Sequence, residues 1–261
     1  MRKQIYYITQ IVSYHNFLVL VKKNLLRAAR RACIIIQYEQ KGNDYLRLRR
    51  KPWIDKAIHD FDDFVYPKDR PATEAERGRW KEIFGRSAPL YVELGTGKGS
   101  FISQIAAREP ENNFLGIEAQ QDVLYKAAQR VSEAKLTNVR LLVFDIRALE
   151  EIFASGEVDG FYINFCDPWP KARHAKRRLT YRAFLERYRR VLRPGGLLVF
   201  KTDNPGLFEF SLEEFAAAGL KPEDVSYDLH AENRPDNIET EYEKKFSGFG
   251  EKIHRCVVRF P

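Results

Sequence analysis

One short stretch limits the fold of this chain more than any other. The apolar run Leu90-Tyr91-Val92-Glu93-Leu94 leads directly into Gly95-Thr96-Gly97-Lys98-Gly99, followed by Ser100, Phe101, Ile102 and Ile105 at helical spacing. Five residues are too few for a buried helix and suit a buried strand. The glycines remove Cβ atoms where the backbone turns with positive φ or approaches a ligand. The unit therefore reads as strand, glycine turn, helix. Apolar runs at 114–118, 139–144, 158–165 and 196–201 repeat it with helical patterns between them, which predicts βαβ units in a mostly parallel sheet. The last run follows the turn signal Arg193-Pro194-Gly195-Gly196.

The glycine spacing is G-x-G-x-G, not the dinucleotide pattern G-x-G-x-x-G, whose third glycine seats a helix N-terminus against a pyrophosphate. S-adenosylmethionine has no pyrophosphate, so the spacing favours it as the ligand of Glu93, Gly95 and Gly97. Glu118 ends the second strand 25 residues after Glu93, where such folds place a carboxylate that accepts from both ribose hydroxyls. Asp145 follows the third strand, where an acid can accept from the adenine amine. All three acids fall on the rim of the sheet where open α/β folds bind ligands. The fourth and fifth strands bring Cys166-Asp167-Pro168-Trp169 and Thr202-Asp203-Asn204 to that rim, which makes it the substrate side.

A chain of 261 residues with 44% hydrophobic content can bury one substantial core. Cys33, Cys166 and Cys256 form no close pair, so a disulfide framework is not expected and a cytoplasmic location is. The histidines have no metal-site spacing, and no metal is expected. The net charge of +8 is unevenly spread: residues 1–45 hold eight basic against two acidic residues, leaving 36 against 34 elsewhere. A nucleic-acid partner must therefore be argued from local clusters. One is Arg47, Arg49, Arg50 and Lys51. The other runs from Lys171 to Arg193 with Glu186 as its only acid. Its second half, Arg182 to Arg193, alternates with apolar residues at helical spacing and reads as a solvated helix face. Its first half lies between a strand end and a helix start, which suits phosphate binding.

Residues 4–21 carry no Lys, Arg, Asp or Glu, and Arg2, Lys3, Lys22 and Lys23 flank them, the pattern of an anchor or signal segment. Polar residues such as Gln4, Thr9, Gln10 and Asn16 interrupt the segment. The preferred expectation is a translation start near Leu46, no membrane association, and no catalytic role for residues 1–45.

Several ordered motifs carry a family resemblance over residues 46–260. They are Arg49-Arg50-Lys51-Pro52-Trp53, Glu93 through Gly99, Gly116-Ile117-Glu118, Asp167-Pro168-Trp169-Pro170-Lys171 with its basic tail, Lys201-Thr202-Asp203-Asn204 and Thr240-Glu241-Tyr242-Glu243. Together they resemble the bacterial tRNA (guanine-N7)-methyltransferases of the TrmB family. That resemblance implies an α/β, Rossmann-like class I S-adenosylmethionine methyltransferase with a mostly parallel seven-stranded sheet and helices on both faces. It implies three regions: an extension at 1–45, a basic RNA-binding arm and helical lead-in at 46–86, and a catalytic domain at 87–261. It places Glu93, Glu118 and Asp145 on the cofactor, Asp167 at the catalytic centre beside the methyl group, and Lys171, Asp203, Thr240 and Glu243 on the substrate nucleoside or adjacent RNA. Arg173, His174, Lys176, Arg177 and Arg178 are expected to hold the RNA backbone. The expected partner is tRNA, methylated at guanine 46 of the variable loop, by a monomer or homodimer with no obligate protein partner.

Three readings compete with parts of this picture. Thr240 and Glu243 also fit a helix capping box, T-x-x-E. Trp169 suits either a stacking platform for an extruded base or a core tryptophan. The Asp167-Pro168-Trp169 position is where enzymes that methylate exocyclic amines carry an aromatic motif, so N6-adenine chemistry is the nearest rival, with a noncatalytic RNA-binding protein of the same fold a more distant one.

Overall fold

The computed structural model describes residues 51–261. The uncharged run 4–21, the expected start at Leu46 and the basic residues Arg47, Arg49 and Arg50 lie outside the described residues.

Eight strands form one sheet: β1 (Val65–Tyr66), β2 (Leu90–Leu94), β3 (Asn113–Glu118), β4 (Val139–Val143), β5 (Val158–Asn164), β6 (Leu192–Thr202), β7 (Pro222–Ser226) and β8 (His254–Arg259). Their order is β1-β4-β3-β2-β5-β6-β8-β7. The pairings of β8 with β6 and β7 are antiparallel, and all others are parallel. The helices are α1 (Ile54–Ala57), α2 (Trp80–Ile83), α3 (Ser100–Arg108), α4 (Gln121–Glu133), α5 (Leu149–Ile152), α6 (Arg182–Val191), α7 (Pro205–Ala217) and α8 (Glu241–Ser247).

Alternation along the strands divides the core into two layers, because successive side chains leave a strand on opposite faces. Leu115 and Ile117 of β3 join Val92, Phe161, Phe200 and the inner faces of α6 and α7. Phe114 of the same strand joins Phe101, Ile102 and Ile105 of α3 and Leu124 and Val131 of α4. Each layer buries the apolar stripes of two helices against the sheet, and this burial is the main force holding helices of 9 to 13 residues in place.

Among the described residues the sheet has eight strands where seven were expected. The additional one, β1, comes from the lead-in and pairs with β4 over two residues. It is too short to leave a period-2 signal. The lead-in also supplies Trp80, fully buried, whose indole N–H donates to the Ile152 carbonyl at 2.8 Å. A second difference concerns the turn expected at 193–196. The segment lies inside β6, and the register with β5 shifts between Val158 and Gly160. Pro194 cannot donate to a ladder, so a bulge accommodates it without ending the strand.

The chain lays down β2, β3 and β4 outward in one direction, then returns to place β5 on the other side of β2. The β2–β5 junction is therefore the topological switch point, whose carboxyl ends bind ligands in folds of this type. Gly99 fixes the helix that starts there. It has φ +76°, and a Cβ on it would stand 2.7 Å from the Ala127 Cβ of α4. Gly99→Ala is expected to cost about 2–4 kcal/mol of stability by urea unfolding, from backbone strain and overpacking together. A loss below about 1 kcal/mol would contradict this packing.

Candidate active site

A cavity of about 440 Å³ opens at the carboxyl ends of β2 and β5, within the size range of small-molecule sites. Its wall is the glycine turn from Gly95 to Lys98, with Glu93 beneath, Asn164 and Phe165 at the end of β5, and Thr240 to Tyr242 with Lys245 on α8. Gly95 has φ +80° and nothing within 4 Å of where its Cβ would be.

Glu93 is only 4% exposed. It accepts from Thr96 Oγ1 at 2.5 Å and from Asn164 Nδ2 at 3.0 Å. Burial pushes its carboxyl up to about 7, against the pull of those two hydrogen bonds and of Lys201. Since the folded-state value lies above the ordinary 4.5, ionisation of Glu93 opposes folding: the cost is absent below that pH and complete above about pH 7. Glu93→Gln removes it. The variant should exceed the wild type by up to about 3 kcal/mol at pH 8 and match it near pH 4.5 in urea unfolding, while binding S-adenosylmethionine more weakly. A stability difference independent of pH would contradict the assignment.

Asn164 donates to Glu93 and leaves its own Oδ1 buried without a partner. At the next strand Glu118 accepts from the Gly97 N–H at 3.2 Å and the Gln120 N–H at 3.0 Å. Burial raises its carboxyl above the usual range, the backbone donors pull it down, and the nearby Asp167 charge raises it further. S-adenosylmethionine carries an ammonium, a carboxylate, a diol and an exocyclic amine. Glu93 with the orphaned Asn164 oxygen suits the ammonium, Glu118 the diol, and Lys98 or Lys245 the carboxylate. The residues present fit the group.

Asp145, expected to accept from the adenine amine, also engages its own turn. Its Oδ1 accepts the Arg147 N–H at 2.9 Å, capping the short turn Ile146–Ala148, and both oxygens engage the Arg147 guanidinium. The Arg147 hydrogen bond holds the carboxyl below its ordinary value. Asp145, like Glu118 and Asp167, is not among the residues that line the cavity.

The segment after β5 carries two non-glycine residues at positive φ, Phe165 (+55°) and Trp169 (+42°), with Asp167 exposed between them. Strained residues of this kind persist only where the surroundings hold them. Arg178 is part of that hold. Its guanidinium donates to the carbonyls of Pro168 and Trp169 at 3.0 Å each and lies 4.2 Å from the Phe210 ring centroid. Arg178, expected on the RNA backbone, thus also braces the loop. Trp169 is half-buried and outside both core clusters, with Arg177 4.8 Å from its ring centroid and His174 edge-on at 5.7 Å. Burial pushes the Cys166 thiol up to about 12, so no thiolate nucleophile is present at neutral pH.

The long basic run divides in two. On α6, Arg182 pairs with Glu214, and Arg187 and Arg190 with Glu150; at the start of β6, Arg193 pairs with Asp159. These four cations are paired within the fold, Arg187 and Arg190 sharing one carboxylate. Lys171, Arg173, Lys176 and Arg177 are exposed and form no ion pair among the described residues. Burial, with the charges of Arg177, Arg173 and Lys171, holds His174 below its ordinary value, as expected in an uncompensated positive field. This arc continues directly from the Asp167 loop.

Asp203 accepts from the Tyr242 hydroxyl at 3.3 Å, and burial raises its carboxyl. Thr240 lines the cavity and caps α8, its Oγ1 accepting the Glu243 N–H at 3.0 Å. Glu243, expected on the substrate, is fully buried: Lys201, Asn237 and His230 surround its carboxylate. A capping box would return that carboxylate to the Thr240 N–H, so only the Thr240 half of the motif forms. Asn164 and Lys201 were not among the site residues expected from the sequence. The signal available was a polar residue at the end of an apolar strand, Asn164 after Phe161 and Ile163, and Lys201 after Phe200.

Fold and donor set define a class I S-adenosylmethionine-dependent methyltransferase. The chain superposes on the 16S rRNA methyltransferase KamB with TM-score 0.56 and 14% identity, covering 73% of this chain and 98% of that one. It superposes on the aminoglycoside resistance methyltransferase NpmB1 with TM-score 0.54 and 21% identity, covering 73% and 94%. A family model described as "Putative methyltransferase" matches residues 87–256. The tRNA (guanine-N(7)-)-methyltransferase of Halalkalibacterium halodurans is 50% identical over 82% of this chain and 96% of its own length. The protein of the same description from Bacillus subtilis is 46% identical over 82% and 99%. The chain belongs to the tRNA (guanine-N7)-methyltransferase family.

Proposed function

We propose that this protein transfers the methyl group of S-adenosylmethionine to N7 of a guanine in tRNA, at position 46 of the variable loop, in the cytoplasm. The observation that carries the reading is the continuity of the cofactor cavity, the strained Asp167 loop and the unpaired basic arc. Among the described residues no helix is long and apolar enough to cross a membrane.

The cofactor supplies an electrophilic methyl group. Guanine N7 has an in-plane lone pair at neutral pH, so the protein need not remove a proton to create the nucleophile. Its task is alignment, an effect that can supply roughly 7–11 kcal/mol. Asp167 accepts from guanine N1 and N2 and stabilises the positive charge that develops on the ring. Lys171, Arg173, Lys176 and Arg177 hold the RNA backbone, and Trp169 offers an aromatic face to an extruded base. Thr240 and Asp203 border the nucleoside.

Transcripts in which guanine 46 is replaced by adenine test the position. Methyl incorporation from labelled cofactor should vanish, and undiminished incorporation would place the target elsewhere.

A further inference from the structure

Lys201 is a charged residue in the interior, 3% exposed, on a strand flanked by Asn164 of β5 and Arg255 of β8. An ammonium has three N–H groups. Those of Lys201 reach Asn237 Oδ1 at 3.1 Å, the Ile238 carbonyl at 2.9 Å and Glu243 Oε2 at 2.8 Å. All three acceptors belong to residues 237–243. Within that segment Glu243 Oε1 accepts from Asn237 Nδ2 at 2.7 Å and faces His230 Nε2 at 3.1 Å. The same segment presents Thr240 and Tyr242 to the cavity. Lys201 Nζ also lies 5.8 Å from the ring centroids of Phe101 and Phe165, both of which line it.

Asp203, two residues further along, holds the Tyr242 hydroxyl. One strand end thus grips a single strap at two places, from below through Lys201 and at the rim through Asp203. Burying an ion pair is not in general a route to stability, because desolvation offsets the attraction, and an apolar pair of similar volume does as well or better. What a saturated buried ammonium provides that an apolar pair does not is a fixed direction for each acceptor.

We propose that Lys201 is a positioning residue for methyl transfer: through Glu243, Asn237 and the Ile238 carbonyl it sets where the 237–243 strap, with Thr240 and Tyr242, meets the substrate above the cofactor cavity. This rests on the function proposed above, and it gives Glu243 its role as the partner of Lys201.

The test separates position from stability. In the double variant Lys201→Met, Glu243→Leu, the melting temperature should equal or exceed that of the wild type. S-adenosylmethionine and tRNA dissociation constants should stay within about 3-fold, and the single-turnover methylation rate should fall by about 10- to 100-fold. Asn237→Ala, at a half-buried loop position, removes one partner of each buried charge while retaining the Lys201–Glu243 pair, and should slow the rate by about 3- to 10-fold with both affinities kept. A wild-type rate in either folded variant would overturn the role of Lys201. Failure of the wild type itself to form 7-methylguanosine would overturn the functional reading beneath it.

Discussion

Replacing Lys171, Arg173, Lys176 and Arg177 together with serine is expected to weaken tRNA binding by about 10²–10³-fold at physiological salt. It should also reduce the slope of log K against log salt by about 3. Both magnitudes follow from counterion release, since each cation on a phosphate displaces close to one condensed ion. These side chains are exposed and unpaired, so their removal should leave stability and cofactor affinity nearly unchanged. A matched control is Arg182, Arg187, Arg190 and Arg193, which carry the same formal charge but face Glu214, Glu150 and Asp159. Their replacement should cost stability more than affinity. Filter binding or fluorescence anisotropy across a salt series measures the difference. Equal losses of affinity from both sets would mean that overall charge, not the arc, attracts the RNA.

Asp167→Ala is expected to lower kcat by about 10²–10³-fold with tRNA and S-adenosylmethionine affinities held within a few-fold, the size associated with removing one aligned polar group from a reacting centre. Asp167 is exposed at the end of a loop fixed by Arg178 and by strained backbone at Phe165 and Trp169, so the substitution leaves the loop's supports in place. Asp167→Asn retains one acceptor oxygen and should fall between the two. A change in kcat below about 5-fold for the alanine variant would leave alignment to other groups.

Which parts of this arrangement were legible in the sequence depended on the range of the interactions. The strand before Gly95 and the acids Glu93 and Glu118 could be read because a βαβ unit writes its rim into consecutive residues. Thr240 as a helix cap is equally local, since its partner is three residues away. Glu243 was misplaced because its partner Lys201 is 42 positions earlier and meets it only through the packing of α8 against the end of β6. The bracing by Arg178 was illegible for a related reason: within a basic run nothing distinguishes a guanidinium that braces a loop from one that only faces solvent. The carboxylates that pair with Arg182, Arg187, Arg190 and Arg193 lie 32 to 40 positions distant and leave no local trace; the helical spacing of the run did suggest a face of α6.

The central claim is that one rim holds the cofactor, Asp167 and the basic arc so that guanine N7 in tRNA receives the methyl group. The most direct test incubates the protein with unmodified tRNA and methyl-labelled S-adenosylmethionine, then digests the RNA to nucleosides for mass spectrometry. The predicted result is label in 7-methylguanosine. Label in N6-methyladenosine alone, or none in any nucleoside, would contradict it.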